Sequence, residues 1–239
     1  MPLPFFYTEP ISSSNNIIIL NEENSRHIVQ VLRMEDGRQL KLTDGLGNIY
    51  TAEIIDAHKK KCTVKIIDTT VVQPAAHKIC IAISPVKNNS RLEWFFEKAT
   101  EIGVAEIVLL VCDRTEKQHI RLDRMKGILI SAMLQSQQAW LPVLEEPVKF
   151  EKFIKENKSE NKFIAHCEEQ NKISLKELCN QSTNQPLNHS TILIGPEGDF
   201  TPNEIILALE NKYIPVTLGN TRLRTETAAL VAATLLCVH

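Results

Sequence analysis

From about residue 77 onward the chain alternates continuous apolar runs with helical segments, and no other feature restricts its fold as tightly. The runs cover 79–83, 106–111, 163–166, 191–194 and 214–218; the helical segments cover 90–102, 121–138, 174–180, 202–211 and 225–238. A strand that is apolar on both faces must be buried on both, and helices between such strands supply the cover. The expectation is an α/β domain on a mostly parallel sheet. Its first helix carries Ser90-x-x-Glu93, read as a capping box, then an apolar stripe of Leu92, Phe95, Phe96 and Ala99, with Gly103 as its stop. Lys149 to Lys162, rich in Lys and Glu, reads as a solvated helix and loop. Ala228 to Val238 is too apolar for a surface helix, and is expected in the core or across a two-fold axis.

The preceding region has a different texture. Residues 17–20, 39–43, 49–55 and 62–67 are short and rich in β-branched side chains, and Asp36-Gly37 and Asp44-Gly-Leu-Gly-Asn48 punctuate them as turns. One or two helical turns over Glu22 to Leu32 would place His27, Val31 and Leu32 on one face. Short strands at this spacing predict a small β-barrel. Val71 to Ala76, with Pro74, reads as the linker, which divides the chain into residues 1–72 and 73–239.

Composition narrows the function by exclusion. A net charge of −2 provides no global positive field, so any RNA contact must come from local patches. Arg114, Lys117, Arg121, Arg124 and Lys126 form one such patch, and His58-Lys-Lys-Lys61 another. The six cysteines are scattered without a CxxC pair, several inside apolar runs, which predicts reduced, core-packing thiols. The seven histidines show no HxH or HxxxH spacing, so no metal site is expected. No apolar run reaches the roughly 18 residues of a membrane span, and the start, Met-Pro-Leu-Pro-Phe-Phe-Tyr, lacks the charged and apolar regions of a signal peptide. The expected location is the cytoplasm.

Chemistry concentrates in two stretches near the C-terminus, Ile192 to Glu204 and Leu218 to Leu230. Each leaves an apolar run, breaks at glycine into a polar loop and enters a helix, which is how a parallel sheet builds a pocket at the carboxyl ends of its strands. Gly195 and Gly198 can take positive φ and let backbone approach a ligand closely. Thr201-Pro-Asn-Glu204 opens a helix with an N-cap hydroxyl, a first-turn proline and a capping-box glutamate. The second stretch crowds Arg222, Arg224, Thr225, Glu226 and Thr227 before an apolar helix. Neither stretch matches GxGxxG or GxxxxGK[ST], and no lysine stands ready for phosphates, which argues against a dinucleotide or ATP site.

Gly195-Pro-Glu-Gly198 followed by Leu218-Gly-x-x-x-Leu-Arg-Thr-Glu-Thr-Ala228 resembles the RsmE family of ribosomal RNA methyltransferases, in the SPOUT superfamily. His27-Ile-Val-Gln-Val-Leu-Arg33 and Asp44 to Tyr50 are similar to that family's PUA-like N-terminal barrel, and Arg91 to Val104 to the first helix of its catalytic domain. The resemblance implies a small RNA-binding barrel at 1–72 and, at 73–239, a domain whose C-terminal trefoil knot holds S-adenosylmethionine. It implies a homodimer that methylates N3 of a uridine in 16S RNA near the decoding site of the small ribosomal subunit. Three loops would grip the donor: Ala165 to Glu168, Leu193 to Gly198 and Thr217 to Thr227. The donor-binding candidates are His166, Leu193, Ile194, Gly195, Pro196, Glu197, Gly198, Leu218, Gly219, Leu223, Arg224, Thr225, Thr227 and Ala228. Arg224 and Glu226 are the catalytic candidates, and Arg91, Arg114, Arg121 and Arg124 the RNA-binding ones.

Residue chemistry leaves several of these roles open. Arg224 is placed to stabilise the anion left when the N3 proton departs, or else to pair with Glu226 or a phosphate. Glu197 serves the donor or caps the next helix; Glu226 acts as a base or bonds to the backbone. His166 packs on adenine, acts as a base or is simply core, and Thr225 is an N-cap before it is a ligand contact. Met133 to Pro142 keeps Gln135 and Ser136 of the related Glu-Gln-Ser-x-Arg pattern, but has Leu134 for the glutamate and lacks the arginine. Trp140, beside them, either stacks on an exposed base or packs in core or interface. Two rivals remain: a knotted methyltransferase acting on a ribose 2′-hydroxyl or on transfer RNA, and a non-catalytic RNA-binding factor.

Overall fold

A computed structural model describes residues 3–11, 16–116, 120–168, 171–181 and 187–238. Lys117, of the basic patch, lies outside the described residues. The chain forms two compact units, one of Met1–Pro74 with Met133–Leu141, the other of Ala75–Ala132 with Pro142–His239.

The first unit is built on a five-stranded sheet. Its strands are β1 (Phe5–Tyr7), β2 (Ile17–Ile19), β3 (Gln39–Thr43), β4 (Asn48–Asp56) and β5 (Thr63–Val71), hydrogen-bonded in the order β1-β3-β4-β5-β2. Alternation in β3 and β4 drives Leu40, Leu42, Tyr50, Ala52 and Ile54 inward, where they pack with Phe6, Leu20, Ile28 and Val64. Helix α1 (Glu22–Arg26) starts at the Asn21 cap and continues as one π-helical turn, His27–Val31. Ile28 points into the core, whereas His27, Val31 and Leu32 are exposed. Trp140 packs within the first unit and stays partly exposed. It donates Nε1–H to the Val72 carbonyl at 3.0 Å, and its indole lies so close to Gly47 that a Cβ there would collide with it.

The second unit is an all-parallel sheet with helical connections. In chain order it holds β6 (Lys78–Ile83), α2 (Asn89–Ile102), β7 (Glu106–Val111), α3 (Leu122–Gln135, whose last residues count with the first unit), β8 (Val143–Leu144), β9 (Val148–Lys149) and α4 (Phe150–Glu156). It continues with β10 (Asn161–Ala165), β11 (Ile173–Ser174), α5 (Leu175–Gln181), β12 (His189–Ile194), α6 (Pro202–Glu210), β13 (Ile214–Thr217) and α7 (Thr225–Cys237). The strand order is β11-β13-β10-β12-β6-β7-β8, with β9 pairing β7. β6 and β12 are buried over nearly their whole length, as their apolar runs require. Helix α7 packs on α2, α5, β6 and β12, burying Ala229, Ala232, Ala233 and Leu236.

Three local expectations need correction. The cap of α2 is Asn88, whose carboxamide oxygen accepts the Ser90 N–H at 2.9 Å, so Ser90-x-x-Glu93 makes no capping box. The Glu93 carboxylate is instead held by the Arg124 guanidinium. Helix α4 is not merely solvated: Phe150 and Ile154 enter the core against Phe200 and Ile205, because its Lys and Glu residues occupy only the outer face. The thiols of Cys62, Cys80, Cys112 and Cys179 are buried, whereas Cys167 is exposed. Burial pushes the thiol of Cys62 up to about 11 and that of Cys237 up to about 12, which makes both poor nucleophiles. Among the described residues no helix is long and apolar enough to cross a membrane, and no cluster of His, Cys, Asp or Glu could hold a metal ion.

Candidate functional site

β13, β10 and β12 are neighbouring parallel strands, so the loops that follow them leave the same edge of the sheet. There they line a cavity of about 450 Å³, to which α2 adds Arg91. The loop after β10 contributes Ala165 and Cys167; the loop after β12 contributes Ile194, Gly195, Pro196, Glu197 and Asp199. The loop after β13 and the start of α7 contribute Arg222, Leu223, Arg224, Thr225 and Ala228.

The loop after β12 is fixed from several sides. Gly195 and Gly198 do not take positive φ; the left-handed residue is Asp199, at φ 64°. Gly195 lies tight against the Phe200 ring: a Cβ there would meet it at 3.1 Å, and the ring would have to give by a few tenths of an ångström. In its left-handed conformation Asp199 accepts the Phe200 N–H at 2.8 Å with one oxygen and the Cys167 N–H at 2.7 Å with the other. It thereby staples this loop to the loop after β10. Glu204 completes the expected capping box with Thr201 and also accepts the Asp113 N–H at 2.9 Å. Arg114, an RNA-binding candidate, donates to the Gly198 carbonyl at 2.7 Å and so braces the loop.

The loop after β13 is held more lightly. Gly219 adopts φ 138°, and the Thr217 hydroxyl donates to the Gly219 carbonyl at 2.9 Å. The N-cap of α7 is Arg224 rather than Thr225, and its side chain makes no capping bond. Thr225 is the first helical residue. Its buried hydroxyl donates to the Gly195 carbonyl at 3.0 Å, which locks the two glycine-marked loops together.

Charge in the cavity is mixed, with Arg91, Arg222 and Arg224 against Glu197 and Asp199. The Arg91 guanidinium lies 3.7 Å from Glu197 and 3.7 Å from Glu226. Glu226 is buried, and its Oε2 has no hydrogen-bond partner among the described residues, backbone included. Both ring nitrogens of His166 are likewise buried and unpartnered. Burial, reinforced by Lys172, lowers the pKa of that imidazole below its ordinary 6.5.

Of the donor-binding candidates, the cavity brings together Ile194, Gly195, Pro196, Glu197, Leu223, Arg224, Thr225 and Ala228. His166, Leu193, Gly198, Leu218, Gly219 and Thr227 lie off its lining. Leu193 faces the core instead, because successive strand residues point to opposite faces and Ile194 takes the cavity side. Asp199 was missed, although an aspartate directly after a glycine turn is a common occupant of left-handed backbone. Arg124 is occupied by Glu93, and Arg91 stands in the cavity itself.

The family profile described as RNA methyltransferase domain matches residues 73–237, and that described as RNA methyltransferase PUA domain matches residues 20–67. The solved structure of a "probable rRNA-methyltransferase" from Porphyromonas gingivalis superposes at TM-score 0.88, with 37% identity over 98% of both chains. Ribosomal RNA small subunit methyltransferase E of Neisseria gonorrhoeae, solved bound to S-adenosyl methionine, superposes at TM-score 0.83 with 28% identity, over 98% of this chain and 96% of that one. The enzyme of the same name from Buchnera aphidicola (Acyrthosiphon pisum, strain APS) is 28% identical over 242 residues, 98% of this chain and 92% of its own length. With three loops gathered at one sheet edge and these matches along nearly its whole length, the chain belongs to the RsmE family of PUA-bearing, SPOUT-type RNA methyltransferases.

Proposed function

We propose that this protein transfers a methyl group from S-adenosylmethionine to N3 of a uridine in 16S RNA, near the decoding site of the small ribosomal subunit, acting in the cytoplasm as a homodimer. The observation that carries the reading is the cavity itself, in which three loops from one sheet edge, with Arg91 from α2, bring two acidic groups, three guanidinium groups and an apolar wall together. The residues present fit such a donor. Ile194, Pro196, Leu223 and Ala228 offer the apolar contacts an adenosine needs, and Glu197 and Asp199 suit a cationic ligand. When bound, S-adenosylmethionine supplies a methyl group already activated on a sulfonium, so its transfer calls for neither a metal nor a covalent nucleophile.

The chain's own residues then have two roles. They hold donor and acceptor in line, which supplies much of the rate, and they stabilise the imide anion formed as the N3 proton leaves. Arg224 fits the second role, because it lines the cavity at the α7 N-cap and its side chain is not used in capping the helix. The division of labour remains 1–72 for holding RNA and 73–239 for methyl transfer. The trefoil crossing is supported by the path after β12: the chain goes out past β10 to β13, then returns in α7 against β6 and α2.

The test is nucleoside analysis of ribosomal RNA from a deletion strain restored with the natural protein or with Arg224→Ala. The natural protein should restore 3-methyluridine. Purified Arg224→Ala should lose about 100-fold or more in kcat, as for removal of a preorganised donor to a developing anion, with little change in donor Kd. A methyl group found on ribose would favour the 2′-hydroxyl rival, and failure to bind the donor in calorimetry would favour the RNA-binding factor.

A further inference from the structure

One buried group in the site has no explanation in packing. Glu226 is 5% exposed, yet its Oε2 has no partner among the described residues. A buried carboxylate oxygen left unbonded is costly, and such groups are kept where something else needs them. The N-terminus of α7 favours a negative charge in its first turn, where Glu226 stands. That field neither bonds Oε2 nor accounts for the other contact of the carboxylate, with Arg91 at 3.7 Å.

Arg91 comes from the first turns of α2, and α2 packs along α7. Glu226 faces its Nε and Glu197 faces its Nη1. The third guanidinium nitrogen, Nη2, takes part in neither pair. One buried and one half-exposed carboxylate thus flank the guanidinium at ion-pair distance, 3.7 Å each, and bias a long side chain that would otherwise sample many rotamers. A planar fork drawn toward two carboxylates in this way favours one orientation of its remaining donors, which the point charge of a lysine does not.

We infer that Glu226 is a positioning residue that aims Arg91 into the cavity, and that Arg91 is a second guanidinium, beside Arg224, for the electron-rich edge of the acceptor base. The inference rests on the methyl-transfer reading above and deepens it. It replaces proton abstraction as the work of Glu226: a carboxylate spent on a guanidinium is a holder. Two cationic forks around one imide suit a base whose anionic charge spreads over two carbonyl oxygens and the nitrogen between them.

The test compares the natural protein with Glu226→Gln, Arg91→Ala, Arg91→Lys and the double variant Arg91→Ala/Glu226→Gln. Turnover on small-subunit RNA, donor KM and the side-chain ¹⁵N–¹H signal of Arg91 Nε are the readouts. Each single variant should lower kcat about 30- to 100-fold, the scale of a misplaced catalytic group, with donor KM within about threefold. Arg91→Lys should not rescue, and the double variant should be no worse than Arg91→Ala, because both changes break one contact. The Nε proton should exchange slowly in the natural protein and quickly in Glu226→Gln. Full turnover in Glu226→Gln, a double variant whose loss is the product of the two singles, or unaltered Nε exchange would overturn the inference. Should the natural protein bind donor but methylate no small-subunit RNA, the activity reading falls, and the Nε signal still decides whether Glu226 holds Arg91.

Discussion

The two glycine-marked loops look alike in sequence and are held very differently. The loop after β12 is anchored by the Thr225 hydroxyl, by Arg114 on the Gly198 carbonyl, by Asp199 on the Cys167 N–H and by the Glu204 capping box behind it. The loop after β13 is tied at its base by Thr217 to Gly219 and at its far end by Thr225 to Gly195, and between these ties it exposes Arg222 and Arg224. A rigid loop suits a small donor that must be placed to within a fraction of an ångström. A lightly held loop carrying guanidinium groups suits a large, charged acceptor that arrives from outside. Similar punctuation by glycine therefore serves opposite mechanical ends.

The sharpest way to break this contrast is to crowd the anchored loop. Gly195→Val places side-chain atoms where even a Cβ would lie 3.1 Å from the Phe200 ring, and Phe200 is buried against Phe150. Overpacking of this kind costs about 1–3 kcal/mol. Donor Kd, measured by calorimetry, should rise by roughly 10- to 100-fold if that strain falls on the bound state. Unchanged donor affinity would mean that the loop after β12 is not the donor's seat.

Gly219→Ala probes the other loop. A Cβ at Gly219 meets nothing within 4 Å, but φ 138° is strained for any other residue. The cost should be about 1 kcal/mol, absorbed locally because so little holds the segment. Donor Kd should change less than about threefold, while KM for RNA rises, since Arg222 and Arg224 lie immediately downstream. An equal loss of donor affinity in Gly195→Val and Gly219→Ala would erase the distinction between the loops.

Legibility followed the same divide between pattern and contact. The parallel sheet was readable because β6, β7 and β12 are apolar on both faces, and a periodic signal survives without knowledge of tertiary partners. The pocket was readable because glycine and proline mark where strands end. What escaped were assignments that depend on distant neighbours. Glu93 is three residues past a serine, as a capping glutamate should be, but Arg124 claims it from another helix. Thr225 has the residue type of a cap, yet its hydroxyl finds the Gly195 carbonyl, 30 residues away in sequence. Arg114 looked like a free cation until the loop it braces was in place. Lys and Glu in 149–162 masked Phe150 and Ile154, because composition averages over a helix whose two faces differ.

The smallest effect, and the most diagnostic of burial on the anchored side, concerns His166. Its lowered pKa means that the folded chain resists protonating the imidazole, first because of burial and second because of Lys172. The unfolded chain takes up that proton as pH falls through the ordinary value of 6.5. Stability from this group is therefore unaffected above that value, declines as pH falls below it, and levels off once the folded imidazole also protonates. His166→Phe keeps a ring in the site and removes the titration. Its unfolding free energy should fall less than that of the natural protein between about pH 7.5 and 5, because the natural protein alone carries an imidazole that the unfolded chain protonates more readily than the folded one. Parallel curves for the two proteins would show that His166 protonates as readily in the fold as in water, and that the loop after β10 is open where Asp199 should hold it shut.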